Sequence, residues 1–273
     1  MHPDLLLRRL LWAVPLVCSA TVLADTQLTY VDSGVGETTR TTSIRIHADK
    51  VRMGEVNSPV YTLYDHAGQA LYTINTQTHE YIDSSLEQVR ARTERAMQMQ
   101  NAMKAQMLAQ LPQLPEEQRR MLEARIQQTE AMLKAPGPEI AYQETGETGQ
   151  IQGIACKIRH ITYNGQPGRS VCNAAADAID SDDYQMLLNL FEYMDSIALA
   201  TAQLQGFVAK PESSAATHRP GLALQVQALP QGPRSELSSL SNEAQDPALF
   251  QLPADYRPLE PMDAANPPPG QPR

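Results

Sequence analysis

The chain has 273 residues, 42% of them apolar and 5% aromatic, with 22 Lys and Arg against 31 Asp and Glu, a net charge of −9 at pH 7. That length allows one domain with a sizeable core. The acidic balance excludes nucleic acid or an anionic membrane surface as the main partner, because both demand a basic face.

Residues 1–24 carry Arg8 and Arg9, then the apolar run Leu10 to Ala20, then Val22-Leu23-Ala24, the layout of a secretory signal cut before Asp25. The apolar run is too short to span a bilayer and no second one follows. A soluble, periplasmic mature chain with no transmembrane segment is therefore expected. Two rivals have less to stand on: a lipid anchor at Cys18 meets a Val17 too large for the usual attachment box, and export through Arg8-Arg9 lacks the polar flank of a twin-arginine signal. Without the first 24 residues, which hold Arg8, Arg9 and Asp4, the net charge is about −10 and two cysteines remain.

From Asp25 to Asp83 the chain reads as antiparallel strands. Gln27 to Val31, Thr41 to His47, Val51 to Met53, Val60 to Tyr64, Ala70 to Asn75 and His79 to Ile82 alternate or are β-branched. Gly34, Gly36, Ala48-Asp49 and Asp65 to Gly68 mark the turns. Connections this short make a meander the economical topology.

At Asp83-Ser84-Ser85 the apolar period changes. Ser84 or Ser85 can cap a helix whose apolar side collects Leu86, Val89, Ala96, Met99, Met103 and Met107. Leu111 to Pro115 breaks it. A second helix is expected from Glu116 to Lys134, opened by Pro115 and two glutamates and stopped by Ala135-Pro-Gly-Pro138. Residues 84–134 are thus a helical hairpin inserted between strands.

A β-hairpin follows. Ile154, Cys156 and Ile158 point one way and Ala155, Lys157 and Arg159 the other, the period of a half-buried strand. Asn164-Gly165 supplies the turn, since both residues tolerate positive φ. A turn centred there leaves Cys156 and Cys172 one register step from opposite, an offset that a bulge absorbs. An even count of cysteines in an exported chain suits an oxidising compartment, and no His stands at ligand spacing from either, so a Cys156–Cys172 disulfide is expected rather than a metal pair.

Asp180-Ser181 can cap a third helix, Asp183 to about Gln205, with Met186, Leu187, Leu190, Phe191, Met194, Ile197 and Ala198 on a wide apolar face that should pack on the sheet. Two more strands follow, Leu222 to Leu229 and Arg234 to Leu240, and then the stretch from Pro247 to Tyr256. Residues 259–273, rich in proline and poor in apolar residues, are expected to be disordered.

Lys50-Val-Arg52-Met53, Leu71 to Tyr81, Gly153 to Cys156 and the ending Phe250-x-x-Pro253-x-x-Tyr256 together resemble an uncharacterised bacterial envelope family that is similar in turn to the Lol lipoprotein-carrier half-barrels. Asp255 stands where that pattern has Gly. The resemblance implies one α+β domain over 25–258, a curved antiparallel half-barrel with helices over its concave side and an apolar cavity between. It brings no catalytic residue.

The Met99, Met103, Met107 stripe has rival readings as a copper(I) site or a helix seat, and also suits an adaptable apolar groove. Asp177, Asp180, Asp182 and Asp183 lack a calcium loop and read as helix-start acids. His47, His66, His79, His160 and His218 are dispersed, and no nucleophile elbow, phosphate loop or dinucleotide fingerprint occurs, so neither a metal, a cofactor nor catalysis is expected. On the resemblance alone, a non-enzymatic carrier is the leading expectation, with Met99, Met103, Met107, Leu187, Phe191 and Met194 contacting an acyl chain or lipoprotein segment. The alternative is a protein that docks an envelope partner through its Met- and Gln-rich hairpin.

Overall fold

The computed structural model describes residues 25–34, 39–205 and 212–259; the expected signal over 1–24 and the expected tail beyond 259 lie outside these residues. Six strands open the fold: β1 Thr26–Ser33, β2 Arg40–His47, β3 Lys50–Glu55, β4 Val60–Asp65, β5 Ala70–Asn75 and β6 Glu80–Asp83. They pair in sequence order as the meander that the short turns require. Helices α1 Leu86–Gln110 and α2 Glu116–Lys134 come next, then β7 Ile140–Ile151, β8 Ile154–Tyr163 and β9 Gln166–Ala174. Helix α3 Ser181–Leu204, the short α4 Ser214–His218, β10 Ala223–Ala228, β11 Arg234–Ser241 and the two-residue β12 Arg257–Pro258 follow within the described residues.

All twelve strands form one open sheet in the order β12-β6-β5-β4-β3-β2-β1-β11-β10-β9-β8-β7. Every pair is antiparallel except β12 with β6. The fold is α+β, a half-barrel sheet not closed into a barrel. β11 returns to β1, so the two sequence-distant halves share one hydrogen-bonded surface.

The alternation along β1 to β5 sorts two cores. On one face Leu28, Tyr30, Ile44, Ile46, Val51 and Tyr64 meet Leu187, Leu190 and Phe191 of α3, which lies across β2 and β3. On the reverse face Tyr61, Leu63 and Ile74 are covered by Phe250. The Phe250-x-x-Pro253-x-x-Tyr256 ending is therefore a strap. Phe250 stacks on His47 with centroids 5.2 Å apart, Tyr256 stacks on His79 at 5.0 Å, and Arg257 pairs with Glu80 at 2.7 Å as β12 forms.

Helix starts follow the chemistry of the first-turn donors. The Asp180 carboxylate accepts from the Asp182 and Asp183 backbone N–H groups at 2.9 and 3.4 Å, as expected for α3. At α1 the expectation fails. Ser85 is the boundary residue, yet neither serine side chain caps the helix; Asp83 accepts from the Ser85 N–H at 2.9 Å, and Tyr193 of α3 accepts from the Leu86 N–H at 2.9 Å. The tyrosine hydroxyl then donates to the Gln69 carbonyl at 2.7 Å, tying α1, α3 and the sheet at one point.

The disulfide between Cys156 and Cys172 is present, with Cα atoms 5.4 Å apart. Its register differs from the expected one. Cys156 faces Ala174 and Ile158 faces Cys172, so the cysteines are two steps apart, diagonal neighbours across the ladder. The cause lies at the turn. Asn164 and Gly165 both take positive φ, but a bulge between Ile161 and Thr162 shifts the register beyond the tip. Across the next ladder Gly149 of β7 lies opposite Cys156, and a Cβ there would stand 3.0 Å from the Cys172 sulfur. Glycine leaves room for the disulfide.

Three elements have no counterpart in the sequence reading: the two-residue β12, β7 and α4. β7 is an edge strand whose Gln143 to Gly149 stretch is polar and bulged, so it lacks the period-2 signal. α4 has only five residues, too few to show a helical period.

Candidate functional site

α4 is held by hydrogen bonds from both sides, and that clamp creates the candidate site. Asp195 of α3 accepts from the Ser213 hydroxyl at 2.7 Å and from the Ser214 and Ala215 N–H groups at 2.8 and 3.1 Å. Ser213 accepts in turn from the Ala216 N–H at 3.0 Å. At the other end the Tyr184 hydroxyl, also on α3, donates to the His218 carbonyl at 2.6 Å, and Arg219 pairs with Glu192 at 2.6 Å. From the sheet, the Asn173 amide donates to the Thr217 and Gly221 carbonyls at 2.9 Å each. Gly221 follows because the backbone passes so close to Ala174 that a Cβ would stand 1.6 Å from its carbonyl oxygen.

Held this way, His218 stacks on Phe191 of α3 with centroids 4.4 Å apart and planes 18° from parallel. Its Nδ1 accepts from the Ala223 N–H at 3.3 Å, which places the proton of the neutral ring on Nε2. Burial, with the Arg159 charge behind it, lowers its pKa to about 4, so the imidazole is neutral at pH 7. Burial likewise holds the Tyr30 phenol above its usual range, and its hydroxyl donates to the Ala223 carbonyl at 3.0 Å.

Phe191, His218 and Val226 line two adjoining cavities between α3, α4 and the sheet. One, about 250 Å³, extends under Tyr30, Ile44 and Ala223 of the inner face. The other, about 370 Å³, runs toward Arg169, Glu212 and Ser214. Glu212 accepts from Arg169 at 3.0 Å and from the Tyr163 hydroxyl, and burial with that carboxylate raises the Tyr163 pKa to about 12. The groove thus has an apolar middle and a charged, hydrogen-bonded end. At that middle, neutral His218 has the Ala223 N–H as its hydrogen-bond partner.

The six side chains expected to contact a ligand are dispersed. Phe191 is in the groove wall. Leu187 is fully buried beneath it, and Met194 is half-buried against the same core. Met99, Met103 and Met107 stand on α1 with 40%, 62% and 41% of their surfaces exposed; Leu108 of α1 and Met121 of α2 are exposed as well. Among the described residues no cluster of three His, Cys, Asp or Glu could hold a metal, and no helix is long and apolar enough to cross a membrane. His218 and Val226 were missed because each is a lone residue in a short element; the Ser213 to His218 capping pattern was the available signal.

No family model and no curated protein matches the chain. Among solved structures it is similar to PNGF-II, at 12% identity and a TM-score of 0.36 over 83% of this chain and 29% of that one. It is similar to a chain of the Pseudomonas aeruginosa MucA/MucB complex at 10% identity, with a TM-score of 0.36 over 86% of this chain and 58% of that one. It is also similar to a LolA superfamily protein from Nitrosomonas europaea at 6% identity, with a TM-score of 0.25 over 84% and 90% of the two chains. This chain therefore spans under a third of the first and little over half of the second. All three TM-scores lie below 0.5.

Proposed function

We propose that this chain is an exported, non-enzymatic envelope protein that binds an apolar segment, an acyl chain or a stretch of another envelope protein, in the groove between α3, α4 and the sheet. The observation that carries this reading is the pair of adjoining cavities meeting at Phe191, His218 and Val226, placed over the inner face of the sheet and walled by helices. Apolar area removed from water there stabilises a complex by about 25 cal/mol per Å². A groove already formed loses little further conformational entropy on binding.

Native mass spectrometry of the chain purified from its own envelope, followed by lipid extraction, tests the proposal. A retained acyl ligand or peptide that is lost in Val226→Trp, which fills the groove from a half-buried position, is expected. A clean apo mass with no uptake of fatty acid or apolar peptide would contradict it.

The docking alternative is favoured by one observation, the exposed Met99, Met103 and Met107 stripe on α1. Thioether side chains on an open helix adapt to varied apolar partners. On that reading a partner protein, rather than a lipid, covers the hairpin, and charged substitutions on the stripe abolish capture of that partner while leaving the groove unaffected.

A further inference from the structure

A cavity of about 680 Å³ lies over β7, β8 and β9 and shares no lining residue with the groove. Its walls are small and apolar at Ala155, Ala174, Ala175 and Pro220. Its charged residues are Arg159, Lys157 and Glu144. The alternation along β8 read Arg159 as part of the polar side of a half-buried strand, yet the residue is only 5% exposed.

Among the described residues Arg159 has no counter-ion. Its Nε donates to Asn173 Oδ1 at 2.8 Å, and its Nη2 donates to the Ala216 and Thr217 carbonyls at 2.7 and 2.6 Å, all neutral acceptors. Nη1 makes no hydrogen bond, and no carboxylate comes within 4.0 Å of the guanidinium, among the described residues. A guanidinium out of water without an anion is costly, and burial accordingly lowers its pKa. Lys157, two residues earlier on the same face of β8, likewise has no carboxylate within 4.0 Å among the described residues. Glu144 is the opposing charge. It pairs with Arg159 in register across β7 and β8 without closing an ion pair.

We propose that this cavity binds an oxyanion group, carboxylate or phosphate, between Nη1 of Arg159 and Nζ of Lys157, with the alanine wall taking a short apolar part of the same ligand. Both side chains line this one cavity, and a planar guanidinium fixed by three hydrogen bonds, with the Tyr142 ring centroid 5.0 Å from its carbon, is preorganised to offer its free Nη1 to an oxyanion. Two of the three bonds, to the Ala216 and Thr217 carbonyls, also anchor α4, so Arg159 sets the position of both sites. The assignment stands independently of what the groove binds.

Calorimetric titration of the folded chain with octanoate, inorganic phosphate and octanol tests it. Octanoate is expected to bind, about tenfold more weakly in Lys157→Gln and roughly threefold more tightly in Glu144→Gln, which removes the opposing charge. Val226→Trp, in the separate groove, should leave that binding unchanged. The same pattern with inorganic phosphate alone would identify the oxyanion as a phosphate group. Lys157→Gln and Glu144→Gln alter exposed side chains, so both are expected to fold even if Arg159→Gln releases α4. Octanol binding as tight as octanoate, no binding of either anion at millimolar concentration, indifference to both charge variants, or loss of binding in Val226→Trp would each overturn the proposal.

Discussion

Helices α1 and α3 are nearly the same length, 25 and 24 residues, and both carry apolar side chains at helical spacing. Only α3 is seated on the sheet. Tyr184, Leu187, Leu188, Leu190, Phe191 and Tyr193 are buried, whereas α1 has no buried side chain. The difference lies in density rather than period. α3 places branched or aromatic residues across a wide face, while α1 spaces single methionines among Gln, Ala and Lys, too narrow a stripe to displace water from the sheet. A helix can therefore show the period of a core element and still keep its stripe in solvent.

Substitutions can break or sharpen this contrast. Leu187→Ala, at a fully buried position of α3, should cost about 3 kcal/mol and lower the melting temperature accordingly. A cost below 1 kcal/mol in chemical denaturation would mean that α3 is no better anchored than α1.

Cys156→Ser opens a disulfide between residues 16 apart, which should cost about 3 kcal/mol under oxidising conditions by the chain-entropy estimate. Equal melting temperatures for the variant and the wild type would show that the β8–β9 ladder does not depend on the bridge.

His218 supplies a pH signature of the clamp between α3 and α4. Its folded value of about 4 lies below the unfolded 6.5, so the folded site takes up no proton in that interval. Its contribution is complete above pH 6.5 and is lost as the pH falls through 6.5 toward 4, an effect of about 3 kcal/mol. Melting curves of wild type and His218→Gln should diverge less at pH 4.5 than at pH 7; parallel curves would place the ring in water. The smallest effect belongs to α1. Met103→Ala, at a position 62% exposed, should change stability by less than about 0.5 kcal/mol, and a larger loss in urea would show that the stripe is packed.

Much of the fold was legible. The meander, the hairpin with its Asn164-Gly165 turn, the disulfide partners, α3 and the return strands follow from period, turn chemistry and cysteine count, because each of those signals is local. What was not legible is tertiary. β7 is a polar edge strand, and the bulge that sets the cysteine register appears only in the paired ladder. Arg159 alternates correctly along β8 but is buried because α4 and Asn173 close over it. Of the candidate site, Phe191 was read in advance as a ligand contact. His218 and Val226 were not, since their meeting depends on a five-residue helix held by Asp195 and Tyr184 from a distant part of the chain.

The most direct test sets the groove against the hairpin in one assay. Binding of a fluorescent long-chain alcohol, an apolar probe without a carboxylate for Arg159, should be saturable in the wild type, abolished in Val226→Trp and retained when Met99, Met103 and Met107 are all changed to Lys. Retention in Val226→Trp with loss in the triple variant would contradict the groove and make the methionine stripe of α1 the binding surface.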